Sequence, residues 1–270
     1  MCAKLCLRLL AACLSTLAIA SSLQHNAIAD EAWGTIKGRI VYSKDAPTKE
    51  KIDIERDAAV CGVVEQFDES LVVHQDNRGI RDVAIWLDTR DAIPVHPELN
   101  VLPDKAPVLD NNDCRFQPHM LAVRTGQVFE LTNSDPVAHN AAVYARRNMP
   151  FSEIIPMNQP LQKKFTKFET LPLRVDCSIH PWMKAWIIVT EHPYVAVTDE
   201  HGSFEIRNVP VGEWKFRFWH ERPGYLQSLV TDGKPVSIEK GIWIINVTAD
   251  KQVDLGDLIA PEEQFALKEK

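Results

Sequence analysis

Seventeen prolines are spread through 270 residues, and the apolar residues come in short runs rather than long helical stripes. Proline removes a backbone donor and breaks a helix interior at a cost of about 3 kcal/mol, which argues against long helices. The runs are rich in β-branched and aromatic residues: GTIKGRIVY (34–42), VAIWL (83–87), HMLAV (119–123), QVFELTN (127–133), AWIIVTE (185–191), GSFEIRNV (202–209), EWKFRFW (213–219) and IWIINVTA (242–249). Turn formers such as DNND, RTGQ and DEHG separate them, as expected of strands joined by tight loops. The prediction is an all-β protein. Two segments depart from the pattern. FSEIIPMNQPLQKK (151–164) predicts a short helix limited by Pro156 and Pro160, and residues 91–113 read as a connection with little regular structure.

The first residues predict export. Lys4 and Arg8 precede the apolar stretch LLAACLSTLAIA (9–20), which is short for a bilayer span. Two Ala-x-Ala sites follow, ending at Ala20 and Ala29. Residues 1–29 are therefore expected to be a signal peptide, placing the mature chain in the periplasm or outside the cell. No other segment is long and apolar enough for a transmembrane helix. The net charge of −7 with 25% charged residues gives no argument for nucleic acid or for a basic membrane patch.

Export changes the cysteine count. Cys2, Cys6 and Cys13 would leave with the leader, and Cys61, Cys114 and Cys177 would remain. An odd number in an oxidising space leaves one thiol free, paired between molecules, or held by something else. The economical arrangement is a Cys61–Cys114 disulfide with Cys177 on a metal. Spacing alone leaves a pairing of Cys177 open.

Two patterns overlap along the chain. GTIKGRIVY and IRDVAIWL stand near the start, and VAVTDEHGSFEIRNVPVGEWKFRFWHE (195–221) comes much later, with VDLGDLI (253–259) as a closing strand. Together these resemble the transthyretin-like, carboxypeptidase-regulatory-like β-sandwich. Between them lies CRFQPHMLAVRTGQVFELTNSDPVAHN (114–140), ending in His139-Asn140, and then DCSIHPWMKAWIIV (176–189), with Cys177, His180 and Met183 three residues apart. Both halves, in this order and followed by a strand, resemble the cupredoxins, and the second is similar to the loop of amicyanin. The expected organisation is a discontinuous sandwich over 31–92 and 193–262, with a Greek-key cupredoxin-like copper domain over 93–192 inserted in it. The alternative is two sequential sandwiches.

Two imidazoles, a thiolate and a weak thioether suit copper in both oxidation states, because soft sulfur holds Cu(I) and imidazole holds Cu(II). The resemblance implies one type 1 copper held by His139, Cys177 and His180, with Met183 axial. It implies that Asn140 and Ser178 hydrogen-bond the two loops together. Pro181 stiffens the ligand loop. By the same resemblance His180, exposed beside Pro181 and Trp182, would be the port through which electrons pass. Zinc is a competitor, but a thioether is a poor zinc ligand. His119 is expected to be structural, and His192, His201 and His220 to lie at the surface or in turns.

Several enzyme classes fail on counting. There is no His-x-His pair, no second cysteine in the Cys177 loop, no C-x-x-C-H haem site and no phosphate loop. The expected function is one-electron carriage between exported redox partners rather than catalysis. Two alternatives stand beside it. One is a copper chaperone or store. The other is a module that contacts wall, matrix or carbohydrate through the sandwich, with an incidental metal.

Overall fold

Burial alternates along Trp33–Tyr42, with Ile36 and Ile40 facing inward and fully covered. That period of two fixes one face of a strand toward a core. The same logic recurs through the computed structural model, which describes residues 32–249 and 251–267. The leader predicted over residues 1–29 lies outside the described residues. The chain is nearly all β, as composition and patterning predict, and within the described residues no helix is long and apolar enough to cross a membrane.

The strands of the described residues form four sheets. One runs in the order Ser203–Pro210, Trp33–Tyr42, Gln252–Ala260, Ser228–Thr231, Lys234–Ser237. Trp33–Tyr42 is antiparallel to Ser203–Pro210 and parallel to Gln252–Ala260. A second centres on Gly212–His220, flanked by Ala84–Leu87 and Ile242–Val247. These two sheets enclose a core that includes Ile36, Ile85, Phe204, Phe216 and Phe218. Burying each such side chain contributes about 1.5–3 kcal/mol.

The other two sheets take strands only from within residues 108–190. One is ordered Met120–Arg124, Lys184–Thr190, Leu173–Asp176, His139–Val143, Phe151–Ile155. Facing it are Arg115–Gln117, Val108–Asn112, Val128–Asn133 and Leu161–Lys164. Their core contains Phe116, Phe129, Val175, Cys177 and Met183. A third, smaller cluster of Ala84, Trp86, Met120, Ile188 and Trp219 packs the two pairs of sheets together.

Three sequence expectations need correction. The helix predicted at 151–164 is two strands, Phe151–Ile155 and Leu161–Lys164, paired to His139–Val143 and Val128–Asn133. Pro156 and Pro160 break any helix there, and the strands gain ladder partners instead. The loose connection at 91–113 contains a short helix, Pro97–Asn100, and the strand Val108–Asn112. His192 and His220 are buried rather than superficial, at 8% and 2% exposure.

One close approach depends on glycine. A Cβ on Gly79 would lie 1.9 Å from the His201 carbonyl oxygen, and Gly202 opposite it has φ +76. The backbones can cross there only because neither residue has a side chain.

Candidate metal centre

The site is built from two loops on adjoining strands. Val128–Asn133 ends in a turn closed by the Asn133 side chain, which accepts the Asp135 N–H at 3.1 Å and donates to the Val137 carbonyl at 2.9 Å. His139 then opens the next strand and is fully buried. Leu173–Asp176 ends just before Cys177, and the following loop closes on itself. The Met183 N–H donates to the His180 carbonyl at 3.0 Å, and the Cys177 N–H to the Met183 carbonyl at 3.2 Å. The His180 N–H points at the Cys177 sulfur at 3.4 Å.

Asn140 and Ser178, the residues predicted to tie the loops, are bonded to each other. Asn140 Oδ1 accepts the Ser178 N–H at 2.8 Å and lies 3.6 Å from the Cys177 sulfur. Cys61 and Cys114 form a disulfide, leaving Cys177 as a free, buried cysteine.

Three donor atoms converge. His139 Nδ1 and His180 Nδ1 are 2.9 Å apart, and each is 3.9 Å from Cys177 Sγ. The outer nitrogen of each ring meets a carboxylate: His139 Nε2 lies 2.9 Å from Asp135 Oδ2, and His180 Nε2 lies 2.8 Å from Asp57 Oδ2. An ionised carboxylate only accepts hydrogen bonds, so each Nε2 carries the proton and each Nδ1 presents a lone pair. Two lone pairs facing at 2.9 Å repel unless a cation sits between them. A proton is disfavoured in that role. Burial and the neighbouring His180 push the His139 pKa down, against the pull of Asp135.

The donor set fits a transition metal. The centre of the triangle formed by the three atoms is about 2.1 Å from each of them, close to typical metal–nitrogen distances of about 2.0–2.1 Å and metal–thiolate distances of about 2.3 Å. Met183 is 2% exposed and belongs to the same buried cluster as Cys177.

One expectation is overturned. His180 was expected to be exposed in an apolar patch, but it has no solvent-accessible surface. Asp57 covers its outer edge. The Trp182 ring packs at a tilt against the His180 ring, 5.1 Å between centroids, and its Nε1–H donates to the Cys114 carbonyl at 3.1 Å. Trp182 is half-buried, and Pro181 is exposed.

Sequence reasoning missed both carboxylates as histidine partners. Asp135 had a signal, standing four residues before His139. Asp57 had none, because 123 positions separate it from His180. His119, the other histidine of the first motif, is apart from the three donors. Its Nε2 pairs with Glu221 Oε1 at 2.8 Å, and Glu221 also accepts from Trp186 Nε1 at 2.8 Å. Burial alone would lower the His119 pKa, but the bond to Glu221 and its charge raise it.

No protein-family model matches the sequence, and no curated protein matches it. Among solved structures, a copper-containing nitrite reductase from Thermus scotoductus is 25% identical over 36% of this chain and 25% of its own, with a TM-score of 0.30. The chain thus spans about a quarter of that protein's length. The P94A mutant of amicyanin is 21% identical over 33% of this chain and 85% of its own, with a TM-score of 0.29. A purple cupredoxin from Nitrosopumilus maritimus is 20% identical over 32% of this chain and 99% of its own, with a TM-score of 0.27.

Proposed function

We propose that this is an exported protein that holds one copper ion and carries single electrons between partner proteins. The observation that carries the reading is the meeting of His139 Nδ1, His180 Nδ1 and Cys177 Sγ in one buried place, with both imidazoles held in the tautomer that exposes a lone pair inward. Copper bound there would supply a one-electron couple. The protein's own part is rigidity. Asn140 and Ser178 lock the two loops together, and packing of Cys177 and Met183 in the core excludes water. A site held this way changes shape little between two oxidation states.

In this proposal the sheets built from residues 33–87 and 195–260 form a transthyretin-like sandwich that docks the copper-binding part onto its partner or onto wall or matrix. The export signal, the periplasmic or external location, the single type 1 copper and the absence of catalysis belong to the same proposal. The test is endurance. A carrier passes through repeated cycles of reduction and reoxidation while keeping its copper, and a Cys177→Ser variant loses that ability. Loss of copper within a few cycles would refute carriage.

A second reading, copper storage or delivery, is favoured by the complete burial of His180. It predicts ready transfer of Cu(I) to a competing chelator, which a carrier resists.

A further inference from the structure

Asp57 lies outside every strand, in the segment 52–66, yet it closes the metal site. A backbone bridge between Lys51 and Phe67 ties the two ends of this segment together. Several features then hold it over the ligand loop. The Arg56 guanidinium donates to the Ile179 carbonyl at 3.2 Å. Cys61, four residues after Asp57, is bonded to Cys114, whose carbonyl accepts from Trp182. Ile54 and Val60 pack against the core that contains Cys177 and Met183. Asp57 itself takes a left-handed backbone, φ 49 and ψ 37. Aspartate and asparagine visit that region more readily than most other residues.

We propose that Asp57 is a positioning residue for His180, and that the disulfide-anchored strap 52–66 is a fixed cover over the histidine edge. This rests on the copper reading above. By accepting Nε2–H, the carboxylate fixes the ring's rotation and tautomer and aims Nδ1 at Cys177 and His139. A carboxylate behind an imidazole also makes the ring a stronger donor to metal. That effect favours the doubly charged ion over the singly charged one, so it lowers the reduction potential. Asp135 does the same for His139 from within its own loop. Asp57 does it from a separate strap, which also removes the His180 edge from solvent. Electron exchange must then cross the strap or leave by another side of the site.

Two variants separate charge from contact without straining the left-handed backbone. Asp57→Asn keeps an acceptor oxygen and loses the charge; Asp57→Gly removes the side chain. In the metal-free full chain, nitrogen-edited NMR should show the His180 Nε2–H as a slowly exchanging proton, retained in Asp57→Asn and lost in Asp57→Gly. In the copper-loaded protein, Asp57→Gly should bind Cu(II) about 10- to 100-fold more weakly. Its potential should rise by at least about 59 mV, a tenfold change for one electron, with Asp57→Asn in between. A fast-exchanging Nε2–H in the unsubstituted protein would overturn the proposal. So would an Asp57→Gly variant with unchanged potential and copper hyperfine splitting. An unsubstituted protein with no thiolate–copper absorption would instead remove the copper reading, and the metal-free proton measurement would still decide whether Asp57 orients His180.

Discussion

Lowering the pH from neutrality loads protons onto the unfolded chain at places where the folded chain refuses them, most strongly at two histidines far from the metal site. His192 and His220 are buried, and burial pushes each imidazole down to about 4. In an unfolded chain each titrates near 6.5. The folded protein uses the neutral forms. His192 Nε2 faces the Leu87 carbonyl at 2.9 Å, and His220 Nδ1 accepts the Arg222 N–H at 3.3 Å. A group with a lower pKa folded than unfolded binds more protons unfolded, so stability rises with pH. The contribution is complete above about pH 6.5 and is lost progressively as pH falls to about 4. At about 1.36 kcal/mol per pH unit, each histidine accounts for about 3 kcal/mol. Together they are comparable with the whole stability of a small domain, about 5–15 kcal/mol. Urea unfolding of the metal-free chain at a series of pH values reads this directly. The free energy should fall steeply below about pH 6.5, with His192 and His220 together contributing a slope approaching two protons. His220→Asn keeps an acceptor for Arg222 and His192→Gln keeps a donor for Leu87, and each should lower the slope by about one proton. A flat profile between neutrality and about pH 4.5, or slopes unchanged in both variants, would refute the reasoning.

Removing the disulfide by a Cys61→Ser, Cys114→Ser double substitution should cost about 4 kcal/mol, from the loop entropy released over its 53-residue separation. Urea midpoints measure it, and a loss under about 1 kcal/mol would contradict the estimate. Glu221→Gln should destabilise by about 1–3 kcal/mol, because it removes the buried carboxylate that accepts from both His119 and Trp186. Burial raises the Glu221 pKa, but His119 and Trp186 outweigh it and bring it down to about 2. Its contribution therefore stands above about pH 4.5 and is lost as pH falls toward 2. The same substitution should lower the His119 pKa in an NMR titration. Gly79→Ala should destabilise by about 1–3 kcal/mol or prevent folding, since its Cβ meets the His201 carbonyl; unchanged thermal unfolding would exclude that clash.

The strands were legible where one face is buried. EWKFRFW and QVFELTN are alternating patterns, and they appear as Gly212–His220 and Val128–Asn133. The loop holding Cys177, His180 and Met183 was legible because all three residues lie within seven positions, and His139 because a recognisable pattern leads into it. The pairing of Cys61 with Cys114 followed only once Cys177 was read as a metal ligand, since the cysteine count by itself left a pairing of Cys177 open. The cover over His180 was not legible. Residues 52–66 have neither period and form no strand, so nothing local says where they pack. His220 also misled, because a histidine beside Glu221 and Arg222 looks superficial. Its burial follows from the strand Gly212–His220 ending where Phe265 packs on it, at 5.3 Å between rings.

The central claim is that His139, Cys177 and His180 hold copper through a thiolate. It is tested most directly by visible absorption and electron spin resonance of the protein loaded with one equivalent of Cu(II). The account predicts an intense charge-transfer band that bleaches on reduction, returns on reoxidation and is absent from Cys177→Ser, together with a narrow copper hyperfine splitting. A pale Cu(II) spectrum with wide splitting, or no stoichiometric copper, would contradict it.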